Sequence, residues 1–278
     1  MIVKKVVIPY TEGKPFFHIY PLGDLHKGTN FHAEDKLQTK IAQIHDDPVG
    51  RVIGMGDYGE FITQADKRHD PNGELYPDWL KPDDISRCIE KKVTKDWEPI
   101  KEKTDGLLLG NHENSFRIHN FGDVHSHLCE DMGLDNLGFV CVIHYVFKRE
   151  NSTESHLIKG AFTHGTSCAI TKNGKKSALL RFMQIVPDCD FYCYAHTHDI
   201  DNVEVLELTT TNTLKIKEQV RHGILTGCFF KSYDVSSIPS YGEYKLYPPT
   251  RIGCPRVVIN AAEQTIEPET LEEIRNNN

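Results

Sequence analysis

No cysteine pair in this sequence has the C-x-x-C spacing, and its eight cysteines fall at irregular intervals. That predicts reduced core thiols in a cytoplasmic protein. No apolar run approaches the roughly 18 residues that a membrane-spanning helix needs. The first residues, "MIVKKVVIPY", lack the apolar core and small-residue cleavage site of a signal peptide, so they are read as a first strand. There is no internal repeat, no low-complexity tract and no clear linker. A net positive charge is also missing: the formal charge is −8, which gives no overall attraction to nucleic acid or to an anionic membrane. A local cationic site, above all one whose charge comes from metal, is not excluded by that balance.

What is present is a set of short apolar runs that end in Gly, Asp or His. They are "FFHIYPLGD" (16–24), "RVIGMGD" (51–57), "GLLLGNH" (106–112), "IKGAFTHG" (158–165) and "FYCYAHTH" (191–198). Each suits a buried strand. Helical periodicity covers "AEDKLQTKIAQIHDD" (33–47), with Leu37, Ile41 and Ile44 on one face. It also covers "DDISRCIEKKVTKDWEPI" (83–100), capped at Asp83 or Asp84, and "GDVHSHLCEDMG" (122–133), closed by Gly133. Beyond residue 200 strands dominate: two around a turn near Asn212 within 203–220, then 221–230 and 256–268. The expectation is an α/β fold of two packed mixed sheets flanked by helices. One domain would span 1–278, with a loop insertion around 64–84, a β-rich C-terminal part and a frayed tail. The 64–84 segment is either a substrate-covering flap or a plain surface insertion.

The strand ends carry the chemistry. They offer Asp24 and His26, Asp57, Asn111 and His112, His164, and His196 and His198. Strands sharing a sheet direct their carboxyl ends to one crevice, where open α/β sheets bind ligands. In order along the chain, "GDLH" (23–26), "GDYGE" (56–60), "GNHE" (110–113), "THG" (163–165) and "AHTH" (195–198) resemble the signature of the calcineurin-like metallophosphoesterase superfamily. Ala195 stands where that family usually has Gly.

The resemblance implies an αββα sandwich and a dinuclear metal site. Asp24, His26, Asp57 and His198 would hold one cation, and Asp57, Asn111, His164 and His196 the other. Oxygen and imidazole donors of this kind suit manganese, with iron, zinc or nickel as alternatives. The implied activity is phosphoester hydrolysis by in-line attack of hydroxide on phosphorus. His112 would serve the leaving group as a catalytic residue. Glu60 is placed to orient His112, with Glu113 as a tether of the loop or as the alternative orienting residue.

Protein Ser/Thr phosphatases of the superfamily carry Arg where this chain has Phe61 and Leu109, which argues against a phosphoprotein substrate. Lys27 and Arg117 are the candidate replacements. A phosphodiester is therefore favoured, including nucleic acid, with a phosphomonoester or cyclic nucleotide as alternatives and a non-catalytic scaffold as the rival from another class. The basic stretch 171–181, with Lys172, Lys175, Lys176 and Arg181, is either a backbone contact or a solvated charged turn. His125 and His127 are read as surface residues, His32 and His119 as structural, and Trp79 and Trp97 as packing anchors.

Overall fold

The computed structural model describes residues 1–63, 66, 69, 76–81, 83–120, 122–167, 169–210, 213–234 and 239–270. Strands β1 (Ile2–Tyr10) and β2 (Phe16–Leu22) open the chain, followed by α1 (Glu34–Asp46), β3 (Gly50–Gly54), α2 (Ile85–Trp97) and β4 (Thr104–Leu107). Next come α3 (Asn111–Asn120), α4 (Val124–Met132), β5 (Val140–Arg149), β6 (Ser155–Thr163), α5 (Lys172–Ile185) and β7 (Phe191–Tyr194). The hairpin β8 (Ile200–Thr210) and β9 (Ile216–Thr226), a single helical turn α6 (Tyr241–Tyr244), β10 (Arg256–Asn260) and β11 (Thr265–Glu269) complete it.

Two mixed sheets form, in strand orders β1-β5-β6-β7-β9-β8 and β11-β10-β2-β3-β4. Strand alternation decides what each sheet touches. In β3, Ile53 faces the other sheet, while its neighbour Val52 faces the helices. Ile19 and Tyr20 divide in the same way on β2. The layer between the sheets joins Ile19, Ile53 and Leu108 to Ile143, Phe162 and Phe191. Phe17 meets Phe147 across it at 5.0 Å between ring centroids. Helices α1, α2 and α4 cover the outer face of the smaller sheet, and α5 that of the larger one. The result is the expected four-layer arrangement of two packed sheets flanked by helices.

Several local expectations need correction. The 83–100 helix ends at Trp97 and tightens into a 3-10 turn, Glu98–Lys103, whose second residue is Pro99. Residues 221–226 continue β9 and do not form a new strand. Segment 171–181 belongs largely to α5, capped by the Thr171 side chain on the Gly174 N–H, and is not a turn. Helix α3 and strand β5 were not anticipated. His125 is buried, stacked on Tyr58 and bonded to Asn136, because α4 turns that residue inward; His127 is half exposed beside Glu90. Six of the seven described cysteines are buried, and no disulfide occurs among them. Trp97 is a core anchor, its indole N–H donating to Thr104. The flap and turn expectations at 64–84 and Asn212 fall largely on residues outside the described set, as does the tail. No helix among the described residues is long and apolar enough to cross a membrane.

Deleting the Phe147 ring leaves a cavity where the two sheets meet. Phe147→Ala is expected to lower unfolding free energy by about 3–5 kcal/mol, read from urea denaturation. A second expectation concerns acid. Asp47 accepts from Tyr20 and from the Val49 N–H and lies 2.6 Å from His18 Nδ1. Burial would raise its carboxyl, but the His18 and Tyr20 contacts outweigh it and hold the group at about 2. The stabilisation is complete above the unfolded value of about 3.9 and is lost as pH falls through the folded value. The urea-midpoint gap between wild type and Asp47→Asn should therefore be constant near neutrality and close in strong acid.

Candidate metal centre

Five loops meet at the carboxyl ends of β2, β3, β4, β6 and β7. β2, β3 and β4 run parallel to one another in one sheet, and β6 and β7 run parallel in the other. Their loops therefore emerge at matching edges. The first two loops are zipped by backbone bonds: Asp24 N–H to Gly56 O (2.9 Å), His26 N–H to Asp57 O (3.1 Å), and Glu60 N–H to Lys27 O (2.8 Å). Gly56, at φ +91°, lets the third loop approach so closely that a Cβ there would sit 2.7 Å from Gly110 N.

Five donors adopt left-handed backbone conformations: Asp24 (φ 49°), His26 (54°), Asp57 (51°), His196 (65°) and His198 (53°). Each such residue costs on the order of 1–3 kcal/mol and persists only where its surroundings over-determine it. The strain turns alternate side chains of a tight loop towards one point.

The predicted residues come together there in three groups. Asp24, His26 and His198 converge within 4.8 Å, as do Asp57, His164 and His196, and also His26, Glu60 and His112. Asp24 uses Oδ2 to accept the His196 N–H at 3.0 Å. Its Oδ1 is buried without a hydrogen-bond partner, 3.4 Å from His198 Nε2 and 3.9 Å from His26 Nε2. Those two imidazole nitrogens face each other at 2.9 Å. Asn111 lies against His164 Nε2 at 2.9 Å, and with its amide turned over its nitrogen would also reach Asp57 Oδ2 and His196 Nδ1. An orphaned carboxylate oxygen facing two imidazole nitrogens fits a divalent cation. The outer nitrogens fit too: His26 Nδ1 meets Glu60 Oε1 at 2.8 Å, and His164 Nδ1 meets Met55 O at 2.8 Å. Metal-bound histidines are usually oriented by such partners.

The electrostatics follow from burial among like and unlike charges. Burial disfavours ionised Asp57, but His164 and His112 hold it well below the usual carboxylate range. Burial likewise pushes His164 down, yet Asp57 beside it prevails and raises it to about 9. His196 is lowered to about 4 by burial and by His164. Burial and the Asp57 charge push Glu113 up to about 7.

Glu113 receives the N–H groups of Asp57 (3.0 Å), Tyr58 (2.7 Å) and Gly59 (3.3 Å). It ties the second loop to α3. Glu60 lies between two imidazoles, with its Oε2 3.3 Å and its backbone O 3.0 Å from His112 Nδ1. Lys27 is buried in ion pairs with Glu34 (2.5 Å) and Asp96 (2.7 Å), which corrects its reading as a phosphate contact. Lys175 is similarly buried beside Asp199, and Lys176 pairs with Asp201. His32 is held at Leu25 O. Sequence reading missed Phe230, whose ring lies 5.4 Å from that of His26 and 6.0 Å from that of His198. It comes more than thirty residues after the last motif, so no local pattern marks it.

In comparisons with solved structures, the chain is similar to Vps29 of Chaetomium thermophilum, with a TM-score of 0.37 and 10% identity over 91% of this chain and 93% of that one. It is also similar to GAP50, the anchor in the inner membrane complex of Plasmodium, with a TM-score of 0.36 and 12% identity over 93% and 86%. No protein-family model and no curated protein matches the sequence. Likeness this slight carries no functional argument.

A Cβ at Gly110 would overlap the Asp57 N–H and the Glu113 carboxylate. Gly110→Ala is expected to cost about 3 kcal/mol of stability by overpacking. Because it displaces Asp57, metal content measured by plasma mass spectrometry after dialysis should fall with it.

Proposed function

We propose that this chain is a dinuclear metal-dependent phosphoesterase of the calcineurin-like kind, acting on phosphodiesters. The observation that carries the reading is Asp24 Oδ1, buried without a hydrogen-bond partner and facing His26 and His198 at the meeting point of separate strand ends. Asp24, His26, Asp57 and His198 would hold one cation, and Asp57, Asn111, His164 and His196 the other. Once bound, two divalent ions supply Lewis-acid polarisation of the phosphoryl oxygens and an acidified water at neutral pH.

The chain's own residues do the rest. His112, with Nδ1 at Glu60 O, turns Nε2 towards the centre, 3.9 Å from Asp57 Oδ2. From there it delivers a proton to the leaving ester oxygen. Glu60 holds both His26 and His112 and fixes their orientation relative to each other. Glu113 keeps the Asp57 loop against α3, so the carboxylate does not swing away when its charge is engaged.

The preference for a diester is supported by what surrounds the centre. Phe61 is buried against Phe116, and Leu109 is apolar, at the two places where phosphoprotein phosphatases place guanidiniums. A monoester dianion calls for such cations; a diester carries one negative charge and needs fewer.

Manganese should stimulate hydrolysis of bis-p-nitrophenyl phosphate more than that of the mono-ester. His112→Ala should lower kcat about 100- to 10,000-fold with the metal content unchanged. Wild type that binds manganese yet turns over neither ester would sink the catalytic reading in favour of a scaffold. Faster turnover of the mono-ester would move the assignment to a phosphomonoesterase.

A further inference from the structure

Helix α2 carries Lys91, Lys92 and Lys95 on the side opposite its buried residues Ile89 and Val93. With Trp79 and Cys88 they line a groove of about 320 Å3, with no acidic side chain among its described lining residues. Several nearby carboxylates are engaged elsewhere: Asp96 with Lys27, Glu90 with Arg87 and His127, and Asp131 with Arg87; Glu98 lines the adjoining surface with Lys91 and Lys95. Among the described residues none of the three lysines has an ion-pair partner. Lys92 Nζ lies 5.3 Å from the centre of the Trp79 ring, which is only half buried. Like charges at helical spacings repel one another, so the chain bears a local cost here despite its net charge of −8. A bound polyanion would offset that cost, and an accessible indole beside it suits an unpaired base.

The segment that carries Trp79 also touches a loop of the candidate metal centre. Asn30, in the loop that carries His26, donates to Tyr76 O at 3.1 Å, three residues before Trp79. Ile89, on the opposite side of α2, packs against Gly28 and Gly59 in the loops of His26 and Asp57. The lysine groove therefore lies across the body of α2 from the loops that hold the donors.

We propose that this groove binds single-stranded nucleic acid, with Trp79 stacking on a base and Lys91, Lys92 and Lys95 meeting successive backbone phosphates. It deepens the phosphodiesterase reading, on which it rests, by naming the substrate class. A duplex has no unpaired base for Trp79 and binds less tightly.

The test is fluorescence anisotropy of a labelled oligothymidylate of about 15 nucleotides with the full chain in EDTA, where cleavage cannot occur. Binding should weaken about tenfold or more in the Lys91→Gln/Lys92→Gln/Lys95→Gln variant, and the Lys→Arg triple variant should restore it. The slope of log affinity against log salt should become shallower by about two, since single strands lose about 0.7 per phosphate contact. Binding should also quench tryptophan fluorescence, and Trp79→Phe should abolish the quenching while buried Trp97 continues to emit. Circular dichroism of each variant checks its fold. No binding by wild type at low salt overturns the proposal. So does equal binding of heparin, duplex DNA or anionic vesicles, or quenching that survives in Trp79→Phe. Hydrolysis of bis-p-nitrophenyl phosphate by wild type is read separately: if it fails while the oligonucleotide binds, the phosphoesterase reading falls and the groove remains a nucleic-acid site.

Discussion

The Glu113 carboxylate holds the candidate metal centre together. It lies buried at the start of α3 and receives the N–H groups of Asp57, Tyr58 and Gly59. Asp57 answers by accepting the His112 N–H through Oδ1. This reciprocal tie joins the end of β3 to the helix that follows β4, across a contact so close that only glycine fits at positions 56 and 110. Three backbone donors offset part of the desolvation of this carboxylate by charge-assisted bonds, while burial and the Asp57 charge still push it up. The left-handed residues nearby depend on that anchoring, because strain at Asp57 persists only if the loop cannot relax.

Burial and charge then organise the centre in a way the surface does not. The acidic exterior gives the chain no general affinity for polyanions. Inside, carboxylates and imidazoles are packed so closely that each shifts the other: His164 and His112 hold the Asp57 carboxyl low, and Asp57 in turn pushes His164 up. A cation supplied to such donors takes over the role of the imidazolium proton, which couples metal binding to pH. Among the described residues, the exposed cations that bear on the reading are Arg117 on α3 and the lysines on the outer face of α2.

Much of this was legible in the primary structure. Five apolar runs ending in Gly, Asp or His reappear as β2, β3, β4, β6 and β7 with their loops. Where reading failed, competing signals were responsible. The Gly and Lys content of 171–181 reads as a turn, but Thr171 caps a helix whose Leu179 and Phe182 pack on the larger sheet. His125 reads as exposed on a short polar helix, but tertiary packing slides it over Tyr58. Lys27 reads as a phosphate contact from its place in a motif loop; α2 brings Asp96 to it, and the buried ammonium is neutralised.

By itself the sequence determined which residue types stand at strand ends, because turn chemistry and metal-capable side chains are local properties that spacing preserves. It determined the strand and helix character of most segments, because apolar periodicity is local too. Only the tertiary structure decided that donors separated by up to 174 positions, from Asp24 to His198, share one point. It alone decided that Glu113 clamps the Asp57 loop, that Phe230 lies beside the centre, and that the α2 lysines share a groove with Trp79. Those relations arise from sheet order and loop-to-loop hydrogen bonds, which depend on which surfaces pack together and leave no mark in any single stretch of chain.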